Sequence, residues 1–174
     1  MEENLSIFAK IITNDDFNEF CAFIQKNTLS ATDELILIQS PKTDWLGFYI
    51  NNNNIDISNL CEFVKTKLPA EHIFYKLKLL GSLSPELQQA IIESKNEQLW
   101  DLAIDKYSFT DPVLIPQMKQ TNITFLRKYI SKRFIQLDGQ KALIRSGITE
   151  LIDLYIQVHG FFREAQREFL YYLY

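Results

Sequence analysis

Three stretches of the sequence align without gaps at intervals of 26 residues: ESKNEQLWDLAIDKY (93–107), KQTNITFLRKYISKR (119–133) and RSGITELIDLYIQVH (145–159). Within each stretch the apolar residues recur at i, i+1, i+4 and i+5, which forms one stripe along an α-helix. The alternation of period two that marks a strand is absent. Each stretch therefore predicts the same amphipathic helix of a repeated unit. The shared apolar columns are Leu99/Phe125/Leu151, Trp100/Leu126/Ile152, Ala103/Tyr129/Tyr155 and Ile104/Ile130/Ile156.

A second helix is predicted before each of these stretches. Its start is marked, at nearly the same phase in each unit, by a residue whose side chain accepts from the first free backbone N–H groups. These residues are Thr32, Ser58, Ser84, Asp111 and Asp138. Pro85 and Pro112 follow directly, at the first helical position, where a missing N–H costs nothing. Each unit thus reads as a helix A of about nine residues and a helix B of about eleven.

The period extends toward the amino terminus with small slips. LIQSPKTDWLGFYI (37–50) matches IIESKNEQLWDLAI (91–104) at an offset of 54 residues, which is twice 27. Neither helix of a unit can bury its apolar stripe alone, whereas stacked pairs bury a continuous core. The sequence therefore predicts an all-α fold, a right-handed α-solenoid of about six two-helix repeats with a period of 26–27 residues, in one domain over 1–174.

This pattern resembles the short α–α helical-repeat proteins of the HEAT-like and leucine-rich-variant kind, over most of the chain. The resemblance implies that a partner binds along a curved surface built from successive repeats, generally without catalysis.

Composition is that of an ordinary globular protein, with 47% hydrophobic and 23% charged residues and only five glycines and five prolines among 174 residues. The two cysteines, Cys21 and Cys61, have neither the spacing of a metal site nor the number needed for a disulfide framework. The first ten residues lack the basic start and apolar run of a signal peptide. No stretch reaches the roughly 18 apolar residues of a membrane span. We expect a cytoplasmic protein with no membrane partner.

Residues of the kind that carry out catalysis are present without a catalytic pattern. Asp101 and Asp105 lie one helical turn apart, opposite the apolar stripe, where water solvates them. His159 ends a helix B, where the helix dipole favours a cation. Neither histidine belongs to a zinc-type motif, and the sequence has no phosphate-binding loop and no nucleophile elbow. We expect no enzymatic activity, no cofactor and no metal.

The segment from Lys119 to Arg145 is basic, although the chain has a formal net charge of -4. Such a cluster can attract phosphate or an acidic protein surface. The columns place Arg127 between Asp101 and Asp153, so an Asp–Arg–Asp ladder is expected to neutralise it. Lys128 falls in an apolar column, so its stem is expected to pack while the ammonium reaches water. The candidate partner-binding residues of this part of the chain are Lys106, Arg127, Lys132 and Arg133, with Lys106, Lys132 and Arg133 carrying the free charge.

The chain ends on EFLYYLY (168–174), an aromatic run in a last helix A that has no helix B to follow it. The ends of helical-repeat stacks usually need a polar outer face, and tyrosine suits interfaces because it is apolar with a polar tip. Tyr171, Tyr172 and Tyr174 either cap the last repeat or lie exposed, and in the second case they are further candidates for contact with a partner or a second copy.

Three hypotheses of function follow. The first is a non-catalytic helical-repeat module that binds a protein or peptide along the face lined by the B helices. The second is a nucleic-acid-binding HEAT-like protein that uses the basic segment 119–145. The third is a structural module that self-associates as a homo-oligomer through its aromatic carboxyl terminus.

Overall fold

The structure is a computed structural model that describes residues 6–120 and 122–173, with side chains as far as Tyr171. Those two ranges contain thirteen α-helices and no strand, so the prediction of an all-α fold is confirmed. None of these helices combines the length and the apolar character that a membrane crossing requires. The helices are α1 Ile7–Asn14, α2 Phe17–Lys26, α3 Ala31–Gln39, α4 Thr43–Asn52, α5 Ile57–Val64, α6 Ala70–Leu77, α7 Pro85–Glu93, α8 Glu97–Lys106, α9 Asp111–Lys119, α10 Ile123–Lys132, α11 Leu137–Ser146, α12 Thr149–Val158 and α13 Arg163–Leu173.

Several helices begin where a side-chain oxygen accepts from a free backbone N–H group, whereas within the described residues α4, α6, α9, α11 and α12 have no such cap bond. Ser84 accepts from the N–H of Leu87 at 3.3 Å, as predicted for α7. The caps predicted at Thr32 and Ser58 are wrong by two residues, because Ser30 and Asp56 precede them and accept the first N–H groups at 3.1 and 2.8 Å. Asp138 likewise lies in the first turn of α11 rather than at its cap.

The chain divides into two compact units, Met1–Ala90 and Ile91–Tyr174, with the division inside α7. In the first unit α3 packs against α1, α4 and α5, and α4 packs against α6. Each of its helices has only eight to ten residues. Isolated helices of this length are unstable in water, so their order depends on the core that they share.

In the second unit, helices that are next but one in the sequence lie side by side. Helix α10 packs against α8 and α12, and α11 packs against α9 and α13. The first series begins at Glu97, Ile123 and Thr149, and each of its helices starts 26 residues after the one before. The second series begins at Asp111, Leu137 and Arg163, with the same interval. We call α8, α10 and α12 the B helices and α9, α11 and α13 the A helices.

The apolar columns fill the core of the second unit, with one exception. Ile104 and Ile130 are fully buried, whereas Ile156 in the same column is 42% exposed. Ile156 lies on α12, and in the described part of the chain no further B helix covers the outer flank of α12. The prediction that Ile156 belongs to the core is wrong for this reason.

Two buried tyrosines link the B helices to the loops that precede the A helices. The N–H of Phe109 donates to the hydroxyl of Tyr129 at 3.1 Å, and this hydroxyl donates to the carbonyl of Phe109 at 3.2 Å. Tyr155 makes the same pair of bonds with Ile135, at 3.3 and 3.2 Å. Burial raises the pKa of Tyr155 to about 12. Both hydroxyls are thus kept protonated and fully bonded, which fixes each loop against its helix.

A buried carboxylate organises the first unit. Glu34 on α3 is only 4% exposed. Its two oxygens accept from the N–H of Asp56 at 3.1 Å, and one of them accepts from Nδ2 of Asn59 at 2.5 Å. Burial, together with the charge of Glu34 and a hydrogen bond to it, raises the pKa of Tyr49 to about 12. Glu34 therefore joins α3 to α4 and α5.

Candidate functional site

The lysines of α10 are paired with acids of α8. Lys128 Nζ lies 2.7 Å from Asp101 Oδ2 and 3.4 Å from Glu97 Oε2. Lys132 Nζ lies 2.8 Å from Asp105 Oδ1. The hydrogen bond to Asp101 is the main cause that raises the pKa of Lys128, while burial acts in the opposite direction. Lys128 therefore ends in an ion pair instead of an ammonium held in water, and Lys132 does not carry the free charge that the sequence predicts.

Arg127 is neutralised, but not by the predicted ladder. Its guanidinium pairs with Glu150 at the start of α12. Within the described residues it makes no ion pair with Asp101 or Asp153. Lys128 already occupies Asp101, which leaves Arg127 to turn toward α12.

Arg133 is held by the end of α8. Its Nε donates to the carbonyl of Ile104 at 2.6 Å, and its Nη2 donates to the carbonyl of Asp105. A cation at the carboxyl end of a helix is favoured by the exposed carbonyls and the helix dipole. Arg133 is therefore hydrogen-bonded to main-chain carbonyls, and among the described residues it makes no ion pair with a carboxylate. Lys106 is exposed and, in the part of the chain that the structure describes, makes no ion pair.

A groove of about 430 Å³ lies between α10 and α12. Its wall is mostly apolar, with charges at the rim, and its lining residues are Arg127, Lys128, Ser131, Glu150 and Leu154. We call it the B groove. The B groove lies on the predicted partner-binding face, and it is both concave and largely apolar.

A second concavity, of about 460 Å³, lies between the A helices α9 and α11. Lys119 of α9 and Lys141 and Arg145 of α11 line it, together with Asp138 and the apolar side chains of Ile115, Met118 and Ala142. We call it the basic cleft. Sequence reasoning placed the candidate cations on the B helices and missed this cleft, although its bases belong to the same basic segment.

The carboxyl-terminal helix exposes large apolar side chains. On α13, Leu170 is 55% exposed and Tyr171 is 84% exposed. The side chains of Tyr172 and Tyr174 lie outside the described residues. An exposed apolar end of this kind is a common feature of protein contacts.

Lys76 is a buried base that no pattern in the sequence predicts. It is 1% exposed, and its Nζ donates to the carbonyl of Ser40 at 2.6 Å. Burial disfavours the charged form, and it lowers the pKa of Lys76 to about 8.

The lowered pKa of Lys76 predicts that the free energy of unfolding depends on pH in the alkaline range. Between pH 8 and the ordinary value of 10.5, the unfolded chain binds a proton that folded Lys76 has lost. The contribution of Lys76 to the free energy of unfolding should therefore rise with pH across this window, by roughly 3 kcal/mol in total. Near and above pH 10 the raised pKa of Tyr49 and Tyr155 acts in the opposite direction. Urea unfolding at several pH values measures it. Lys76→Met should abolish the rise in the free energy of unfolding. Lys78→Met, at an exposed neighbouring position, should keep it. An unchanged rise in Lys76→Met would show that Lys76 is not its source.

In the described residues, no group of three or more His, Cys, Asp or Glu side chains could hold a metal ion. His159 caps α12, with its Nε2 at 2.7 Å from the carbonyl of Ile130. This bond gives His159 a structural position between two B helices.

Comparison with protein-family models, with curated proteins and with solved structures finds no match to the chain. The case for its function therefore depends on the surfaces described above.

Proposed function

We propose that the protein is a non-catalytic helical-repeat module that binds a protein or peptide partner along its B helices, with the B groove at the centre of the contact. We include in this proposal that the helix pairs form turns of a right-handed α-solenoid. Two features of the second unit support it: the side-by-side order of α8, α10 and α12, and the 26-residue interval between their starts.

The B groove is the single observation that carries the proposal. Protein interfaces typically have an apolar core surrounded by a polar rim, and the groove combines the exposed side of Leu154 with the charged rim of Arg127, Lys128 and Glu150. Pairing of these bases with acids leaves little net charge for a phosphate backbone, whose binding requires several free cations. A mixed rim next to an apolar wall suits a peptide better than a polyanion.

Affinity capture from native lysate with the tagged full chain tests the proposal. Leu154→Glu places a charge on the apolar wall of the groove and should abolish capture of the partner. Gln157→Glu introduces the same residue at an exposed position of α12 outside the groove, and should leave capture intact. A purified partner from the wild-type capture should reproduce this difference in a direct titration. If every captured partner also binds Leu154→Glu, or if no partner is captured, the proposed role of the B groove is refuted.

Self-association through α13 is a second candidate function, favoured by the exposure of Leu170 and Tyr171. If α13 forms a contact between two copies, light scattering of the full chain gives the mass of a dimer or larger assembly, and Leu170→Glu reduces it to that of a monomer. Arg167→Glu, an exposed change on the same helix, is the matched control. A monomeric mass for the unmutated chain over the micromolar range would remove this candidate.

A further inference from the structure

The free positive charge of the basic segment collects in the basic cleft. Arg127, Lys128, Lys132 and Arg133 are all engaged by carboxylates or carbonyls of neighbouring helices. The other three bases between residues 119 and 145 all line the cleft between α9 and α11. These are Lys119, Lys141 and Arg145.

Among the residues that the structure describes, two of these three cations have no counter-ion. In the described part of the chain, Lys119 and Lys141 make no ion pair or hydrogen bond through their side chains. Arg145 is bound through its Nε to Glu168 Oε1 at 2.5 Å, which leaves its two Nη groups directed to other acceptors. The lining of the cleft therefore has three cations against one carboxylate, that of Asp138, and within the described residues its unpaired positive charge is that of Lys119 and Lys141.

The spacing of the lining residues explains how the cleft forms. On α11, Asp138, Lys141, Ala142 and Arg145 recur at intervals of three and four residues, which places them on one stripe of the helix. Ile115, Met118 and Lys119 form the corresponding stripe on α9. Two stripes that each combine apolar and basic residues thus face the same space, with an apolar floor and a cationic rim.

We propose that the basic cleft binds an acidic peptide segment of a partner protein. An apolar side chain of the segment lies on Ile115, Met118 and Ala142, and carboxylates on either side of it pair with Lys119, Lys141 and Arg145. The cleft has the volume of a ligand-binding pocket. This site lies on the A helices and is distinct from the B groove, so it goes beyond the function proposed above and can fail independently of it.

Charge and shape favour a peptide over a nucleic acid. Nucleic-acid affinity grows with the number of phosphates that free cations neutralise, and the cleft offers only three cations around one concavity. An apolar floor adds nothing to the binding of a phosphate backbone. A side chain such as leucine or phenylalanine gains from burial there, at about 25 cal/mol for each Å² of apolar surface removed from water.

Fluorescence anisotropy of the full chain with four labelled peptides tests the proposal. Each peptide has glutamates on both sides of one central residue, which is leucine, isoleucine, phenylalanine or methionine. At least one of the four peptides should bind, and its affinity should fall as the salt concentration rises. A peptide with a central alanine should bind more weakly than that peptide. Lys119→Glu/Lys141→Glu should weaken binding by about tenfold or more, because it replaces attraction with repulsion. Lys10→Glu/Lys106→Glu makes the same change in net charge at exposed sites outside the cleft, and should have little effect.

A local probe makes the test independent of whether the double variant folds. The chain has only two methionines, and one of them, Met118, lines the cleft. With methyl-labelled methionine, the NMR signal of Met118 should shift on addition of the best acidic peptide and stay in place with the matching lysine peptide. Three results would overturn the proposal. The first is that none of the four peptides binds at low salt. The second is an equal loss of binding in both double variants, and the third is a Met118 signal that does not move. The labelled peptide can also be displaced with competitors. If a single-stranded oligonucleotide displaces it at a lower concentration than the unlabelled peptide does, the cleft binds nucleic acid instead and the proposal is overturned.

Discussion

Gly139→Ala is expected to lower the free energy of unfolding by about 2 kcal/mol, although alanine is the better helix former. Overpacking of a well-filled site typically costs 1–3 kcal/mol. A β-carbon on Gly139 would clash with Cγ2 of Ile135 and would lie 2.7 Å from Oδ1 of Asp111. Chemical unfolding followed by circular dichroism measures the change.

Neither neighbour of Gly139 can move away without loss. Ile135 is fully buried. The other oxygen of Asp111, Oδ2, accepts from the N–H of Gly139 at 2.9 Å, so that a shift of the aspartate breaks this bond between α9 and α11. Loss of stability is therefore the expected outcome whichever neighbour gives way.

Gly47→Ala is the matched control, because Gly47 also lies inside a helix, α4. Its β-carbon would meet Cδ2 of Leu79 at 3.6 Å, an ordinary van der Waals contact. Since alanine is favoured over glycine in a helix by up to about 1 kcal/mol, this change should stabilise the protein. The same substitution should thus have opposite signs at the two positions. Stabilisation by Gly139→Ala would contradict the close contact of α9 and α11 at Asp111.

Glu34→Ala is the second change with a large expected effect, a loss of about 3 kcal/mol or more. It removes the acceptor for the N–H of Asp56 and for one N–H of Asn59 Nδ2. The bond of the same Nδ2 to the carbonyl of Ala31, at 3.2 Å, remains. Each buried group left without a partner costs about 1–3 kcal/mol. Thermal and urea unfolding of the full chain both report the loss.

Glu62→Ala on the neighbouring helix α5 provides the comparison for Glu34→Ala. Glu62 is exposed, and surface substitutions away from special features usually change stability by less than about 0.5 kcal/mol. Equal effects of the two alanine variants would mean that Glu34 is not the organising carboxylate of α3, α4 and α5.

The helical class and most of the core could be predicted from the sequence because both depend on local periodicity. Apolar residues at i, i+1, i+4 and i+5 define a stripe wherever a helix forms, and the residues of these columns on α8 and α10 are buried as expected. Ile156 was misplaced because burial also depends on what covers the stripe. The column gives no information on whether a further B helix packs against α12.

The charge pairs could not be predicted from the aligned columns. The columns place Asp101 beside Arg127, whereas Asp101 binds Lys128, one residue further along α10. Helical side chains lean toward the amino terminus of their helix, so a long side chain covers the surface about one position before its own Cα. The true pairs Asp101–Lys128 and Asp105–Lys132 are therefore separated by 27 residues. An aligned column carries no information on the direction of a side chain. This direction decides which base forms an ion pair and which stays free.

The buried polar residues were missed for a related reason. Glu and Lys are almost always exposed, so nothing in the sequence marks Glu34 or Lys76 as buried. Their burial depends on partners contributed by other elements, namely Asp56 and Asn59 for Glu34 and the Ser40 carbonyl for Lys76.

Hydrogen exchange of the full chain, with and without the captured partner, tests the proposed role of the B helices most directly. The account predicts slower exchange of backbone amides in α10 and α12, the two helices that form the B groove, when the partner is bound. Slower exchange confined to helices other than α10 and α12 would contradict it.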